Sequence, residues 1–251
     1  MSLAEYSLPA LEPRRVRVRV KAAAINPLDW KIRRGVMKFV TGNRFPQGMG
    51  SDFAGIVDEV GTAVTDVRVG DEVFGTVEIK RQGAFAEVVD ADARLVAPKP
   101  AALSFSEAAC LPIPFATAWA AIVGAARAGS ESRIFIHGCS GAVGSSAVQL
   151  AQACGAQVSG ACGEASLASV ELAGVRPAFT YPDKTSFAAY GPYDAVFDTL
   201  GTLDVAEGLA MLKSGDASST LIRHLAECCA ALFQGATGWC SQQGDSGTCG
   251  R

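Results

Sequence analysis

Histidine is almost missing from this chain, with only His137 and His224 among 251 residues. A metal centre built on imidazoles therefore has little to draw on. No two cysteines stand at C-x-x-C spacing, so a metal cluster lacks its usual ligand pattern. Charge is sparse and unsorted. Lys and Arg number 22 against 25 acids, a net charge of −3, without the basic stripe that nucleic acid requires. Long apolar helices are missing too. Ala108 to Ala126 is uncharged, but Pro112 and Pro114 interrupt it and Thr117 adds polarity. Ile134 to Gly163 is also uncharged, yet six glycines divide it into strand, turn, helix and strand. Met1 to Arg19 holds acids, prolines and arginines where a secretory signal would carry an apolar core.

What is present is apolar. With 49% hydrophobic and 19% charged residues the chain is not of the disordered class, and its length allows one large domain or two modest ones. The expectation is a soluble cytoplasmic protein that binds neither nucleic acid nor a membrane. In that reducing setting Cys110, Cys139, Cys154 and Cys162 read as buried small hydrophobes. Four of the eight cysteines crowd into the last 24 residues.

Two architectures follow one another. VRVRVKAAA (16–24) alternates apolar and basic residues, as a strand with one wet face does, and LDWKIRRG (28–35) reads as a short helix closed by Gly35. Short β-type runs between glycine turns over 53–97 suggest an antiparallel barrel or sandwich. After Pro100 the text changes. Residues 105–128 read as helix, capped through SFSEAA and bent at LPIP. RIFIHG, AQVSGA, AFTYP and YDAVFDTLG then read as strands, with helices after the first two, which means βαβ units on a parallel sheet. Arg14, Arg15, Arg17 and Arg19 read as solvated strand faces, and Phe115, Trp119 and Ile122, at helical spacing, as core.

The sharpest local signal is Gly138-Cys139-Ser140-Gly141-Ala142-Val143-Gly144, which follows a strand and opens a helix. Glycines let such a loop turn tightly and bring backbone N–H groups to a pyrophosphate at the helix N-terminus. About 20 residues on, where an acid would hold the ribose of NAD, stands the neutral Cys162. No Arg or Lys follows to clamp a 2′-phosphate, and Glu164 would disfavour one if it points inward, so these residues leave the choice of NAD or NADP open. His137 is either packing under the turn or catalytic. Asp198 either meets the cofactor or caps the next helix, and Asp29 is either a helix cap or a functional group.

AAAINPLDWKIRRG (22–35), FPQGMGSDFAGIVDEVG (45–61), VGDEVFG (69–75), GAFAEVV (83–89), EAACLPIPFATAW (107–119), the glycine loop and YDAVFDTLG (193–201) together resemble the medium-chain dehydrogenase/reductases. More narrowly, they are similar to the zinc-free quinone oxidoreductase (zeta-crystallin-like) branch, over roughly residues 10–213. The resemblance implies an α/β protein in which a GroES-like β-barrel domain (1–114) precedes an incomplete Rossmann doubly wound parallel sheet (115–216), with a divergent tail (217–251). It implies NADPH bound in the cleft between the domains, NADH not being excluded. Where zinc-dependent members carry a Cys ligand this chain has Asn26-Pro27-Leu28-Asp29, and where they carry Gly-His-Glu it has Gly50-Ser51-Asp52.

The implied activity is zinc-independent hydride transfer to a small quinone or α,β-unsaturated carbonyl. Such acceptors need little Lewis-acid help, because the cofactor carries the chemistry. By resemblance Asn26 lies near the nicotinamide and Thr117 lines the cofactor cleft. Gly138, Ser140, Gly141, Ala142, Val143 and Gly144 form the pyrophosphate loop; Gly163 and Tyr181 lie near the adenosine, and Leu200 completes the set. Relatives often carry Tyr shortly after the Asn, where this chain has Trp30, Lys31 and Ile32. Lys31 is then the candidate proton donor, beside its plainer reading as an exposed helix lysine.

The resemblance stops at both ends. Family members begin with a β-hairpin before the segment matching Leu11, and after GLAMLK (208–213) they enter a fifth strand. Here SGDASSTLIRHLAECCAALFQGATGWCSQQGDSGTCGR follows, as in a truncated or frameshifted product. Leu221, Ile222, Leu225, Cys229 and Leu232 recur at helical spacing, which predicts an amphipathic helix over 218–234. A missing fifth strand would leave a sheet edge open to a second copy, a homodimer. Two functions follow: an active reductase, or a catalytically impaired nucleotide-binding or interaction protein.

Overall fold

The computed structural model describes residues 3–42, 47–214 and 220–223. Internal contacts divide the chain into two units, Met1–Ile113 and Pro114–Arg251.

The first unit is built on five antiparallel strands. β1 (Arg15–Ala24) is followed by two short helices, α1 (Pro27–Arg33) and α2 (Lys38–Thr41). Then come β2 (Asp52–Val60), β3 (Glu72–Thr76), β4 (Val88–Asp92) and β5 (Val96–Pro98), in the sheet order β4-β1-β2-β3-β5. Alternation along β1 sends Val16 and Val18 into a core with Phe53, Val57, Val73 and Val89. The two intervening arginines are not the solvated faces expected. Arg15 is buried and grips both oxygens of Glu78, and Arg17 sits between Asp90 and Glu59. Only Arg14 and Arg19 are exposed. A long basic side chain can lie along a sheet face when carboxylates of neighbouring strands meet its head, and the alternation of β1 by itself does not reveal those partners.

Helix α3 (Phe105–Ala109) is held by a capping box in which Ser104 and Glu107 exchange hydrogen bonds; the chain breaks at Cys110 and Leu111, and α4 (Pro112–Trp119) takes both prolines of LPIP into its first turn. A π-helical stretch, Ala120–Ala125, continues it. Ile122 is core, whereas Phe115 and Trp119 are 36% and 43% exposed, against expectation. Helical spacing puts side chains on one stripe without saying what covers that stripe. Cys110 is likewise exposed, unlike the buried Cys139 and Cys162.

The second unit is a parallel sheet. β6 (Arg133–His137), α5 (Ala142–Ala153), β7 (Gln157–Cys162), α6 (Leu167–Leu172), β8 (Ala178–Thr180), α7 (Lys184–Tyr190), β9 (Ala195–Asp198), α8 (Val205–Ala210) and β10 (Thr220–Arg223) run in chain order. The strand order β10-β9-β6-β7-β8 reverses direction between β6 and β9, the doubly wound arrangement whose ligands bind beyond the strands' carboxyl ends. Ile134 and Ile136 face a core shared with α5, while Phe135 faces Phe187, Tyr193, Leu203 and Met211 on the other side.

The helix expected over 218–234 is corrected at its start. Residues 220–223 form β10, which pairs in parallel with β9 from Thr220↔Ala195 to Arg223↔Asp198. Ile222 enters the core on one face and Leu221 packs on the other, which is period two. The edge of β9 expected to be open is therefore paired, and β10 is the outermost strand of the sheet among the described residues. Residues 224–234 lie outside the described residues.

Candidate functional site

Two groups of polar and glycine residues stand out, one in each unit. In the parallel-sheet unit the turn after β6 needs two of its three glycines, each for its own reason. Gly138 has φ +89°, and a Cβ there would strike Thr199 Oγ1 and Leu200 Cγ. Gly144 lies against the Gly138 carbonyl, so a Cβ would force α5 away from the loop. Gly141 is different. Its φ of −75° suits any residue, and a Cβ would meet nothing nearer than the Gly138 oxygen at 3.5 Å.

Gly141 is also the N-cap of the twelve-residue α5, and no side chain caps the helix. Its first-turn amides have no partner inside the helix and carry the positive end of the helix dipole. Ser140, Gly141 and Ala142 are exposed, Val143 half-buried and Gly144 buried. From the neighbouring strand, Thr199 donates to the carbonyl of His137 at 2.8 Å. Asp198, fully buried, accepts from the amides of Leu200, Gly201 and Leu203, so it shapes the turn after β9 instead of capping α8, whose cap is Asp204. Leu200 is exposed on that turn, beside Gly138.

His137 is buried below the loop, its Nε2 3.3 Å from Thr202 Oγ1 and its Nδ1 without a partner among the described residues. Burial lowers its pKa, against the pull of Asp198. This favours the packing alternative. The Tyr181 ring lies 5.1 Å from it, tilted by 48°, and burial raises the phenol's pKa while a hydrogen bond with Ser140 opposes. Cys139 donates weakly to the Ala161 carbonyl, and burial pushes its thiol up to about 12. Gly163 follows β7 and opens a 3₁₀ turn, with empty space where a Cβ would stand. A cavity of about 320 Å³ opens here, lined by Cys162, Gly163, Glu164, Thr180, Tyr181 and Pro182. The structure thus gathers the expected loop residues with Gly163, Tyr181 and Leu200 at the carboxyl ends of β6, β7, β8 and β9. Thr117 is buried on α4, and no hydrogen bond joins its side chain to the loop.

Asn26 and Lys31 belong to the other unit. Asn26 caps α1, and its amide donates to Asp52 Oδ2 at 3.0 Å. Asp29 serves the cap through Oδ2, which accepts from the Asn26 backbone, while its Oδ1 accepts from Ser51 Oγ at 2.8 Å. Gln82 in turn donates to Ser51 Oγ. Ser51 and Gln82 join this buried network without any local spacing that would have singled them out as partners. Asp52 Oδ2 also accepts from the Ile113 amide, but Oδ1 is buried without a partner among the described residues. Burial, opposed by the Ile113 amide, the Thr76 hydroxyl and Asn26 and reinforced by the nearby Asp29, raises the Asp52 carboxyl to about 7. Lys31 is half-buried, its Nζ 5.8 Å from the Trp30 ring and in no hydrogen bond or ion pair with a described residue. Among the described residues no three His, Cys, Asp or Glu are grouped to hold a metal ion, and no helix is long and apolar enough to cross a membrane.

Comparison with known proteins bears on both units. Residues 12–101 match the alcohol dehydrogenase GroES-like domain. An NADPH-dependent alkenal/one oxidoreductase of Arabidopsis thaliana chloroplasts is 34% identical over 83% of this chain and 55% of its own length. A chloroplast quinone-oxidoreductase homolog of Spinacia oleracea is 31% identical over 77% of this chain and 60% of its own. The chain thus spans little more than half the length of these curated relatives. The solved structure of an alcohol dehydrogenase superfamily protein from Novosphingobium aromaticivorans superposes with TM-score 0.79 at 30% identity, covering 97% of this chain and 83% of that one.

Proposed function

This chain belongs to the medium-chain dehydrogenase/reductase superfamily, and on that footing we propose that it is a zinc-independent oxidoreductase for small quinones or α,β-unsaturated carbonyls. Gly141 carries the reading. The fold has no steric need of glycine there, yet the position borders uncapped first-turn amides, where a pyrophosphate backbone would have to come close. Gly138, Ser140, Ala142 and Val143 share that loop, and Gly144 sets the distance of α5 from it. Gly163 and Tyr181 receive the adenosine half, with Leu200 and Thr117 completing the binding set. NADPH is the donor that the resemblance implies and that one relative's name carries; NADH is its rival.

A nicotinamide, when bound, would supply the hydride. Asn26 is the residue that the family resemblance assigns to the nicotinamide, its side chain fixed by Asp52 and its backbone by Asp29. Lys31, with an uncommitted ammonium, delivers the proton that must accompany the hydride. Zinc-independence is supported by what the residues at the family's ligand positions do: Asn26 and Asp52 bond to each other, and Ser51 to Asp29. A reducing setting, of which the cytoplasm is one, is supported by Cys139 and Cys162, two free thiols buried in one core.

Dinucleotide binding followed by nicotinamide fluorescence, and its oxidation followed with a small quinone, test the proposal. Gly141→Ala is expected to weaken binding by about tenfold with an unchanged urea midpoint, since only the ligand would meet the new methyl group. Binding without turnover would leave the impaired nucleotide-binding protein as the function. No binding at all would remove the cofactor assignment from both readings.

A further inference from the structure

The cavity beyond β7 and β8 has a sign. Of its six lining residues Glu164 alone is charged, and none is Lys or Arg. The Glu164 side chain is exposed and makes no hydrogen bond or ion pair with a described residue, so its carboxylate is free to meet a ligand. Cys162, at the strand end where an acid would ordinarily hold a ribose, is a buried thiol with a raised pKa and stays neutral. Gly163 leaves open space between that thiol and Glu164. Across the cavity stand Thr180 and Tyr181. Lys184, the first cation after them in the chain, is committed to Glu207 at 2.8 Å.

In a parallel sheet of this order a dinucleotide lying on the loop after the first strand directs its adenosine ribose to the end of the second. Here these are β6 and β7. A free carboxylate there accepts hydrogen bonds from a 2′,3′-diol and repels a 2′-phosphate, and no cation lines the cavity to offset the repulsion. Resting on the dinucleotide site proposed above, we infer that Glu164 is a specificity-determining residue that makes NADH, not NADPH, the preferred partner of this chain. The preference expected from family resemblance is thus reversed by one side chain two positions past the strand end.

Equilibrium titration of the full chain with NADH and with NADPH, read by nicotinamide fluorescence, tests this without recourse to turnover. The wild type is expected to bind NADH roughly tenfold tighter, as one like-charge contact at a partly solvated site would produce. Glu164→Gln should bring the two affinities together, chiefly by strengthening NADPH. Glu164→Lys should invert the order. An unchanged urea midpoint in both variants would show that the fold is intact, as expected for an exposed side chain without partners. Equal or tighter NADPH binding by the wild type, or discrimination that survives Glu164→Gln, overturns the assignment while leaving the dinucleotide site standing. If neither nucleotide binds, the site itself fails and Glu164 with it.

Discussion

Asp198 and Asp52 are both fully buried carboxyls, and their surroundings treat them differently. Asp198 receives three amide donors, whereas Asp52 receives two on one oxygen and none on the other. An anion at Asp52 is therefore poorly compensated, and its carboxyl rises from the ordinary 3.8 to about 7. Between those two values the folded chain holds a proton that the unfolded chain has released. Stability consequently falls as pH rises from about 4 to about 7, then levels off, by up to about 4 kcal/mol at about 1.4 kcal/mol per pKa unit. Asp52→Asn keeps an acceptor for Asn26 and Ile113 and puts a neutral amide on the orphaned side. Urea unfolding across that pH range should show the decline in the wild type and its loss in the variant; parallel curves would refute the raised carboxyl. At this scale the sequence was only partly legible. Asp29 was visible as a possible helix cap, but Asp52 reaches Asn26 and Ser51 reaches Asp29 through the fold, 26 and 22 positions away, and Gln82 joins them only through Ser51. The same distance hid Glu78 from Arg15 and Asp90 from Arg17.

Elements were read well where glycines and apolar runs agreed, as in β6, the turn after it and α5. They were missed where few side chains decide. Helix α7 buries only Phe187 of its seven residues, too little for a periodic signal. TLIR is the instructive case, since four residues fit a helix that continues to Leu232 as well as a strand. The sheet decides. Leu221 and Ile222 pack on opposite faces beside β9, which a strand allows and one helical stripe does not. Ile222→Ala is accordingly expected to cost about 3 kcal/mol, the range for removing a buried isoleucine side chain, measured by urea unfolding at constant m. A change below about 0.5 kcal/mol, as at a surface position, would mean that 220–223 does not dock on the sheet.

On the scale of the molecule, the order of two architectures was legible because their punctuation differs: glycine turns between short strands first, alternating strands and helices afterwards. Where the second sheet closes was not, because 214–223 reads unlike the rest of the chain. Each unit carries its own apolar core, so a ligand confined to one of them leaves a localised mark. The loop after β6, the cavity beyond β7 and the turn after β9 all belong to Pro114–Arg251. A dinucleotide held there at about 100 times its Kd stabilises the folded unit by about 2.7 kcal/mol, a rise in Tm of roughly 5–10 °C for a unit of this size. Hydrogen exchange locates the effect. Amides of 138–144 and 198–203 should slow with ligand, because the loop donors become engaged and the neighbouring turn is covered, while the strands over 15–98 exchange as before. Equal slowing in both sheets would instead mean that the dinucleotide is held by residues of the first unit as firmly as by the glycine loop, and the assignment of the binding energy to that loop would fall.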